Sequence, residues 1–167
     1  MNAVQVHLML NHIPVLAPFL AVALVVIGRI FRNQPVLRVA LALLPLAALL
    51  AIPLYLTGEP AEEMVEHYPG VAEQGIDQHE SAALVSLVLL AALGVVAATT
   101  LWIFRRRPVP GGWGATVLIA CLIVGAHVAW TAHLGGLIRH PELQGGTTTQ
   151  TSPQSEGQAG GETDGDD

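Results

Sequence analysis

The feature that most constrains this chain is a series of four apolar runs, each close to the length of a membrane span. They cover residues 13–30, 37–56, 82–104 and 115–134. An α-helix needs about 20 apolar residues to cross the hydrocarbon core of a bilayer. The runs are apolar on every side, whereas a helix of a soluble bundle carries a polar stripe. The pattern therefore predicts helices that lie in lipid, because continuous runs of this length satisfy their backbone polar groups only as helices there.

The sequence predicts an all-α, integral membrane four-helix bundle with up-down-up-down topology. We expect spans at about 12–31, 37–57, 80–104 and 114–137, within a membrane domain of residues 1–143. A loop of residues 58–79 joins the second and third spans, and Glu59-Pro60 followed by Pro69-Gly70 predicts one short surface helix in it. Residues 144–167 are rich in Gly, Ser, Thr and acid, so this stretch is expected to be a disordered acidic tail.

The charges predict the orientation. Six of the seven basic residues lie in the two short connections on one side, and they are Arg29, Arg32, Arg38, Arg105, Arg106 and Arg107. Short loops that carry arginine stay in the cytoplasm. We therefore expect a multi-pass protein of the bacterial inner membrane, with both termini and the loop 58–79 on the periplasmic side. Its surroundings are the lipid bilayer, and no nucleic-acid partner is expected.

All seven histidines belong to the outer half of this predicted bundle. They are His7, His12, His67, His79, His127, His133 and His140. Three of them, His7, His67 and His140, are expected at the water boundary, where imidazoles bind headgroups or water at little cost.

His12 and His133 are the histidines that the sequence favours as a pair. They are predicted at matched depth on helices far apart in sequence, which favours a ligand shared between them. His79 opens the third run, and His127 lies about 9 Å deeper than His133 along the same helix.

Two imidazoles on facing helices are typical axial ligands of a low-spin heme that transfers electrons. The chain has no Cys-x-x-Cys-His sequence, so the expected cofactor is a non-covalent heme b on the periplasmic side. The candidate cofactor-binding residues are His12, His79, His133 and His127, with Arg139 placed to pair with a heme propionate. The function expected from this interpretation is electron transfer between a quinone or membrane partner and a periplasmic redox partner.

Two alternatives remain open. A non-heme metal site for iron, zinc or manganese would use His12, His79, His133, Glu59, Glu63 and His67. Glu63 and His67 are four residues apart and would share one helical face, and mixed carboxylate and imidazole ligands suit these metals. The other alternative is a cofactor-free structural or accessory subunit of a membrane complex. No nucleophile constellation is visible, so we expect no independent catalysis; a subunit of a redox complex and a homo-oligomer are both compatible with the sequence.

The fourth run also carries small residues at helical spacing, namely Gly125, Ala129, Ala132 and Gly136. Small residues allow close approach of a neighbouring helix. This stripe predicts a helix contact along the fourth span.

Three stretches resemble a bacterial four-helix inner-membrane family that is catalogued as a domain of unknown function. They are LNHIPVLAPFLAVAL (10–24), LLAIPLYLTGEPAEE (49–63) and DQHESAALVSLVLLAALG (77–94). His12-Ile13-Pro14 takes the place of the His-Phe-Pro-like start of the family's first helix, with Ile13 where the family has phenylalanine. Gly58-Glu59 and His79 take the places of its other two motifs. The resemblance spans roughly the first hundred residues; it implies a b-type-cytochrome-like role and points to His12 and His79 as site residues.

Overall fold

The computed structural model describes residues 3–65 and 71–140, and every regular element in these two ranges is an α-helix. The elements are α1 (Ala3–Leu10), α2 (His12–Ile30), α3 (Gln34–Leu56), α4 (Gly58–Val65), α5 (Glu73–Ile103) and α6 (Gly111–Arg139). Four stretches are long and apolar enough to cross a membrane: Val4–Ile30, Gln34–Leu56, Glu73–Ile103 and Gly111–Arg139. The predicted all-α class with four long apolar helices is confirmed.

The helical region begins nine residues before the start expected for the first span, since α1 begins at Ala3 and not near residue 12. Pro14 explains the boundary between α1 and α2, because proline has no N–H to donate to the carbonyl of Leu10. Asn11 keeps helical angles at this boundary (φ −57°, ψ −29°), so the chain continues in nearly the same direction. His7 is thereby placed on a helix that precedes the apolar run.

Helix α3 is bounded by side chains that satisfy free backbone groups. Asn33 precedes it, and its side-chain oxygen accepts a hydrogen bond from the N–H of Val36 at 3.2 Å. At the other end, the Thr57 hydroxyl donates to the carbonyls of Pro53 and Leu54, at 2.9 and 3.0 Å. Such groups are otherwise left unpaired at helix ends. The short helix predicted in the following loop is present as α4.

Helix α5 starts at Glu73, well before the position expected for the third span. Its first turns carry polar residues such as Gln74 and Asp77, which are exposed. Hydropathy marks only the apolar part of a helix, and polar turns outside that part escape it. The predicted tail at 144–167 and part of the loop, residues 66–70, lie outside the described residues.

The four long helices form a ring, in which α3 contacts α2 and α5, and α6 contacts the same two helices from the other side. Along α3 and α5, Arg38 meets Phe104 at one end, and Ala48 meets Gly94 further along. Helices α3 and α5 are therefore antiparallel. We name the end with Arg29, Arg32, Arg38 and 105–107 the arginine end, and the end with His7, Glu62 and His79 the histidine end.

The inside of the ring is packed with small and aliphatic side chains, and large apolar side chains cover its outside. Leu44, Val25 and Val117 are among the largest fully buried side chains. By contrast, Leu16, Val95 and Ile123 are 61, 66 and 62% exposed. Contiguous apolar surface of this kind marks contact with lipid or with another protein.

Close helix contacts are made at single glycines. A Cβ on Gly94 would lie 2.8 Å from that of Ala48, and one on Gly125 would lie 3.2 Å from the Phe19 ring. The stripe predicted on the fourth span is only partly used: Ala132 is exposed, and nothing lies within 4 Å of a Cβ on Gly136. The contact next to Gly136 belongs to Gly135, because consecutive residues point about 100° apart around a helix.

Candidate imidazole site

The site at the histidine end begins with His79, which lies in the second turn of α5 and is partly buried. Its Nδ1 atom lies 3.1 Å from the main-chain carbonyl oxygen of Thr131 on α6. A carbonyl oxygen only accepts, so Nδ1 carries the proton and donates this hydrogen bond. The bond joins α5 to α6 and fixes the direction of the ring.

The side chain of His79 fits because α6 has a glycine beside it. A Cβ on Gly135 would lie 2.9 Å from Cε1 and 3.3 Å from Nδ1 of His79. Atoms this close repel, so any larger residue would move the ring. Gly135 therefore lets the imidazole lie against the helix backbone.

Deeper in the bundle, about two turns from His79 along α5, two hydroxyl side chains extend the polar contact between α5 and α6. Ser86 and Thr131 are both buried, and their oxygens are 2.8 Å apart. The Thr131 hydroxyl also lies 3.3 Å from the carbonyl of Ala82 and 3.1 Å from that of His127. The main-chain carbonyl of Thr131 thus accepts a hydrogen bond from His79, while its side-chain hydroxyl is hydrogen-bonded to Ser86.

His7 occupies a similar position on α1. Its Nδ1 atom lies 3.1 Å from the main-chain carbonyl oxygen of Leu54 and 3.5 Å from the Thr57 hydroxyl. Gly58 lies next to the ring, and a Cβ there would be in ordinary contact with Cε1 of His7, at 3.8 Å. His7 and His79 lie at the same end of the bundle, within electrostatic range of each other.

The two imidazoles therefore share one arrangement. Each directs Nδ1–H to a main-chain carbonyl, and within residues 3–65 and 71–140 neither Nε2 makes a hydrogen bond. A neutral imidazole whose Nδ1 donates has a lone pair on Nε2. Histidines that bind metal ions are commonly oriented in this way, by a carbonyl that accepts from the other nitrogen.

Acidic side chains surround this end of the bundle. Glu62 on α4 is partly buried, and burial raises the pKa of its carboxyl group above the usual 4.5. The negative charges of Glu80, Glu59 and Asp77 raise this pKa further. The carboxylates of α4 thus lie within electrostatic range of the first turns of α5.

The pair favoured by the sequence, His12 and His133, lies on the surface. His12 is the first residue of α2 and is exposed, and His133 on α6 is exposed as well. The His133 ring lies against Trp130, with 5.7 Å between ring centroids. No hydrogen bond of either imidazole is present in the described part of the chain.

The other two candidates for cofactor binding lie on α6. His127 is partly buried, and its Nε2 atom is buried without a hydrogen-bond partner among the residues described. Arg139 is the last residue of α6 and is exposed.

The described residues of the alternative metal site are not gathered into one cluster. Glu59 and Glu63 are exposed on α4, and His67 lies outside the described residues. Within 3–65 and 71–140 there is no group of three or more His, Cys, Asp or Glu side chains arranged to hold a metal ion.

Sequence reasoning placed His79 in the site but assigned His7 to the water boundary. The glycines were the signal that could have found the arrangement. Gly135 lies closely against the His79 imidazole and Gly58 is next to that of His7, yet the sequence pattern at Gly58 was interpreted without reference to a ring.

The chain was compared with known proteins. No protein-family model, no curated protein and no solved structure matches it. The resemblance to a four-helix membrane family stays a prediction.

Proposed function

We propose that this protein binds a b-type heme at the histidine end and transfers electrons within a membrane. One observation carries the proposal: His7 and His79, on different helices, each direct Nδ1–H to a main-chain carbonyl and keep the Nε2 lone pair. An imidazole oriented in this way is prepared to bind a metal ion through Nε2.

Two imidazoles are the number of protein ligands that a low-spin heme requires, because the porphyrin supplies the other four. A bare iron, zinc or manganese ion would need further oxygen ligands. Glu62 is the partly buried carboxylate on the described part of α4 and is the candidate for one of these. Heme b needs no covalent attachment, and the only cysteine, Cys121, is buried inside α6.

The proposal replaces the ligand pair favoured by the sequence. His12 and His133 are exposed, and an axial ligand of a buried heme needs a ring that points inward. His127 stays a third candidate ligand, since its Nε2 is buried and unpaired among the described residues. Arg139 ends α6 near the surface, a position suited to a propionate.

The proposed setting is the bacterial inner membrane, with up-down-up-down helices and both termini in the periplasm. The support is the distribution of charge, because arginine-bearing short loops stay in the cytoplasm. The heme would then exchange electrons with a quinone or membrane partner and with a periplasmic protein. The chain would act as a subunit of a redox complex, without catalysis of its own.

The absorption spectrum of the purified protein tests this proposal. Protein expressed with ample heme should show a Soret band, with sharp visible bands on reduction. His7→Ala and His79→Ala should each abolish or strongly shift these bands, because each removes one axial bond. His12→Ala and His133→Ala are the matched controls, since they remove exposed imidazoles, and their spectra should match the unmodified protein.

The controls also define the outcomes that contradict the proposal. Loss of the spectrum with His133→Ala but not with His7→Ala would restore the ligand pair favoured by the sequence. Loss of the spectrum with His127→Ala would indicate that the heme lies deeper in the bundle. A colourless protein would exclude a heme, and bound iron, zinc or manganese that is lost with His79→Ala would then favour a metal site.

A cofactor-free structural or accessory subunit is the second candidate. The observation that favours it is the contact of His79 with Thr131 and Gly135, which also serves to hold α5 against α6. In that case the protein is colourless and free of metal, and His79→Ala lowers thermal stability without any spectral change.

A further inference from the structure

The arginine end has positive charge that no carboxylate among residues 3–65 and 71–140 pairs with. None of the thirteen acidic residues lies at positions 1–58 or 81–141. The two connections that contain Arg29, Arg32, Arg38 and 105–107 are therefore far from every carboxylate along their helices. A charge without a partner at the surface attracts an anion from its surroundings.

The arginines of this end fall into two groups. Arg38 donates from Nη2 to the carbonyls of Phe104 and Arg107, at 3.3 and 3.4 Å. Arg105 donates to the carbonyl of Trp102, and its guanidinium lies 4.3 Å from the centroid of that ring. These two side chains have partners within the protein.

Arg29 and Arg32 form the second group. The guanidinium of Arg29 lies against α6, where a Cβ on Gly111 would come 2.8 Å from Nη2. Arg32 has a left-handed backbone (φ 49°) and an exposed side chain. Within residues 3–65 and 71–140, neither guanidinium donates a hydrogen bond or pairs with a carboxylate.

These two arginines line an open cavity of about 290 Å³, together with Gly28, Gln34 and Leu37. Two contacts fix its walls. The Gln34 side chain accepts a hydrogen bond from the N–H of Val109 at 2.9 Å, and Gly28 lies against Leu37. The cavity is thus built by the turn between α2 and α3.

The residues that neighbour Gly28, Arg29 and Arg32 along the chain are apolar and open to the surroundings. Ile27, Ile30 and Phe31 are 45, 70 and 73% exposed. A ligand that carries a phosphate and a hydrocarbon chain therefore matches both parts of this region. Guanidinium groups bind phosphate oxygens through paired hydrogen bonds, and basic pockets between membrane helices bind anionic headgroups.

We propose that the cavity between Arg29 and Arg32 binds the headgroup of an anionic phospholipid, whose acyl chains lie along Ile27, Ile30 and Phe31. The occupant is a lipid, and not free phosphate, because exposed apolar residues flank the lining residues along the chain and offer a surface for acyl chains. The proposal is independent of the cofactor at the opposite end and of the side of the membrane that the arginine end faces.

Native mass spectrometry of delipidated protein in a nonionic detergent tests this proposal. The probes are phosphatidylglycerol, phosphatidylcholine and inorganic phosphate, each titrated separately. We expect one retained phosphatidylglycerol per chain at concentrations where phosphatidylcholine and inorganic phosphate do not bind. Arg32→Gln should weaken this binding about five-fold, as should Arg29→Gln.

Arg106→Gln is the matched control, because it removes the same charge from the same end without lining the cavity. Its affinity for phosphatidylglycerol should stay within about two-fold of the unmodified protein, since a distant exposed charge is screened by salt. Helix content measured by circular dichroism shows that each variant is folded. Arg32 is the safer site for this purpose, because its side chain is exposed and makes no contact that folding requires.

Three results would overturn the proposal. The first is an equal loss of affinity in Arg106→Gln, which would mean a diffuse charge effect. The second is phosphatidylcholine that binds as tightly as phosphatidylglycerol. The third is inorganic phosphate that binds at the same concentration as the lipid, which would assign the cavity to free phosphate.

Discussion

The imidazole of His79 lies so near the backbone of Gly135 that a Cβ at that position would come 2.9 Å from Cε1. The same ring donates from Nδ1 to the carbonyl of Thr131, one turn earlier on α6. Contact and hydrogen bond together determine where Nε2 points. The absence of a side chain at one position of α6 is therefore what orients an imidazole of α5.

Gly135→Ala should destabilise the bundle by about 1–3 kcal/mol, because the new methyl group pushes the His79 ring out of its place. Thermal unfolding in detergent measures the change. Gly136→Ala is the matched control: nothing lies within 4 Å of a Cβ there, and alanine favours a helix by up to about 1 kcal/mol. Equal melting temperatures for the two variants would contradict this account of the contact.

The sequence predicted the membrane helices well, because each apolar run must satisfy its backbone within lipid. It placed the start of the first helix too late, since α1 contains polar residues such as Gln5 and His7 that hydropathy discounts. For the site, the sequence predicted depth along each helix, but it did not predict which side of each helix faces the bundle. His12 and His133 were predicted at the same depth, and both are exposed.

The buried hydroxyl pair should couple α5 to α6. Thr131→Val and Ser86→Ala each remove one oxygen of the pair. The double variant should therefore lower the free energy of unfolding by less than the sum of the two single variants. Double-mutant cycles on membrane helices give coupling energies of about 0.6 kcal/mol on average, up to about 1.7. We expect a value in the upper half of that range, because the two oxygens are 2.8 Å apart and buried.

Thr116→Val provides the control for this cycle. The Thr116 hydroxyl is exposed and donates only to the carbonyl of Gly112 on its own helix, at 3.1 Å. Combined with Ser86→Ala, it should show no coupling within the error of thermal unfolding. A coupling near zero for Thr131 and Ser86 would mean that their hydrogen bond contributes nothing to the helix contact.

The orientation proposed for the bundle predicts opposite results for two reporter fusions. A reporter that is active only in the periplasm should be active after Asp167 and inactive after Arg107. A reporter that is active only in the cytoplasm should show the reverse pattern. The reason is that the segment 105–107 carries three arginines, and such short loops are retained in the cytoplasm. Inverted activities would place the histidine end in the cytoplasm and the arginine end outside.

Glu62 gives a prediction for pH. Burial, and then the charges of Glu80, Glu59 and Asp77, raise the pKa of its carboxyl group above 4.5. The folded protein therefore binds this proton more tightly than the unfolded chain does. The free energy of unfolding must therefore fall as pH rises from 4.5 through the raised pKa. Above that range, this loss of stability, the penalty of ionising Glu62 in the folded state, is constant.

Glu62→Gln removes this penalty, so the variant should melt at a higher temperature than the unmodified protein at pH 7. The gain should be at most about 1 kcal/mol, because partly exposed charges interact weakly in water, and it should disappear below pH 4.5. Glu63→Gln removes the same charge from an exposed position on the same helix and should change the melting temperature less. A Glu62→Gln variant that is less stable at pH 7 would show that the Glu62 carboxylate makes a favourable contact at the histidine end, contrary to the repulsion inferred from its neighbours.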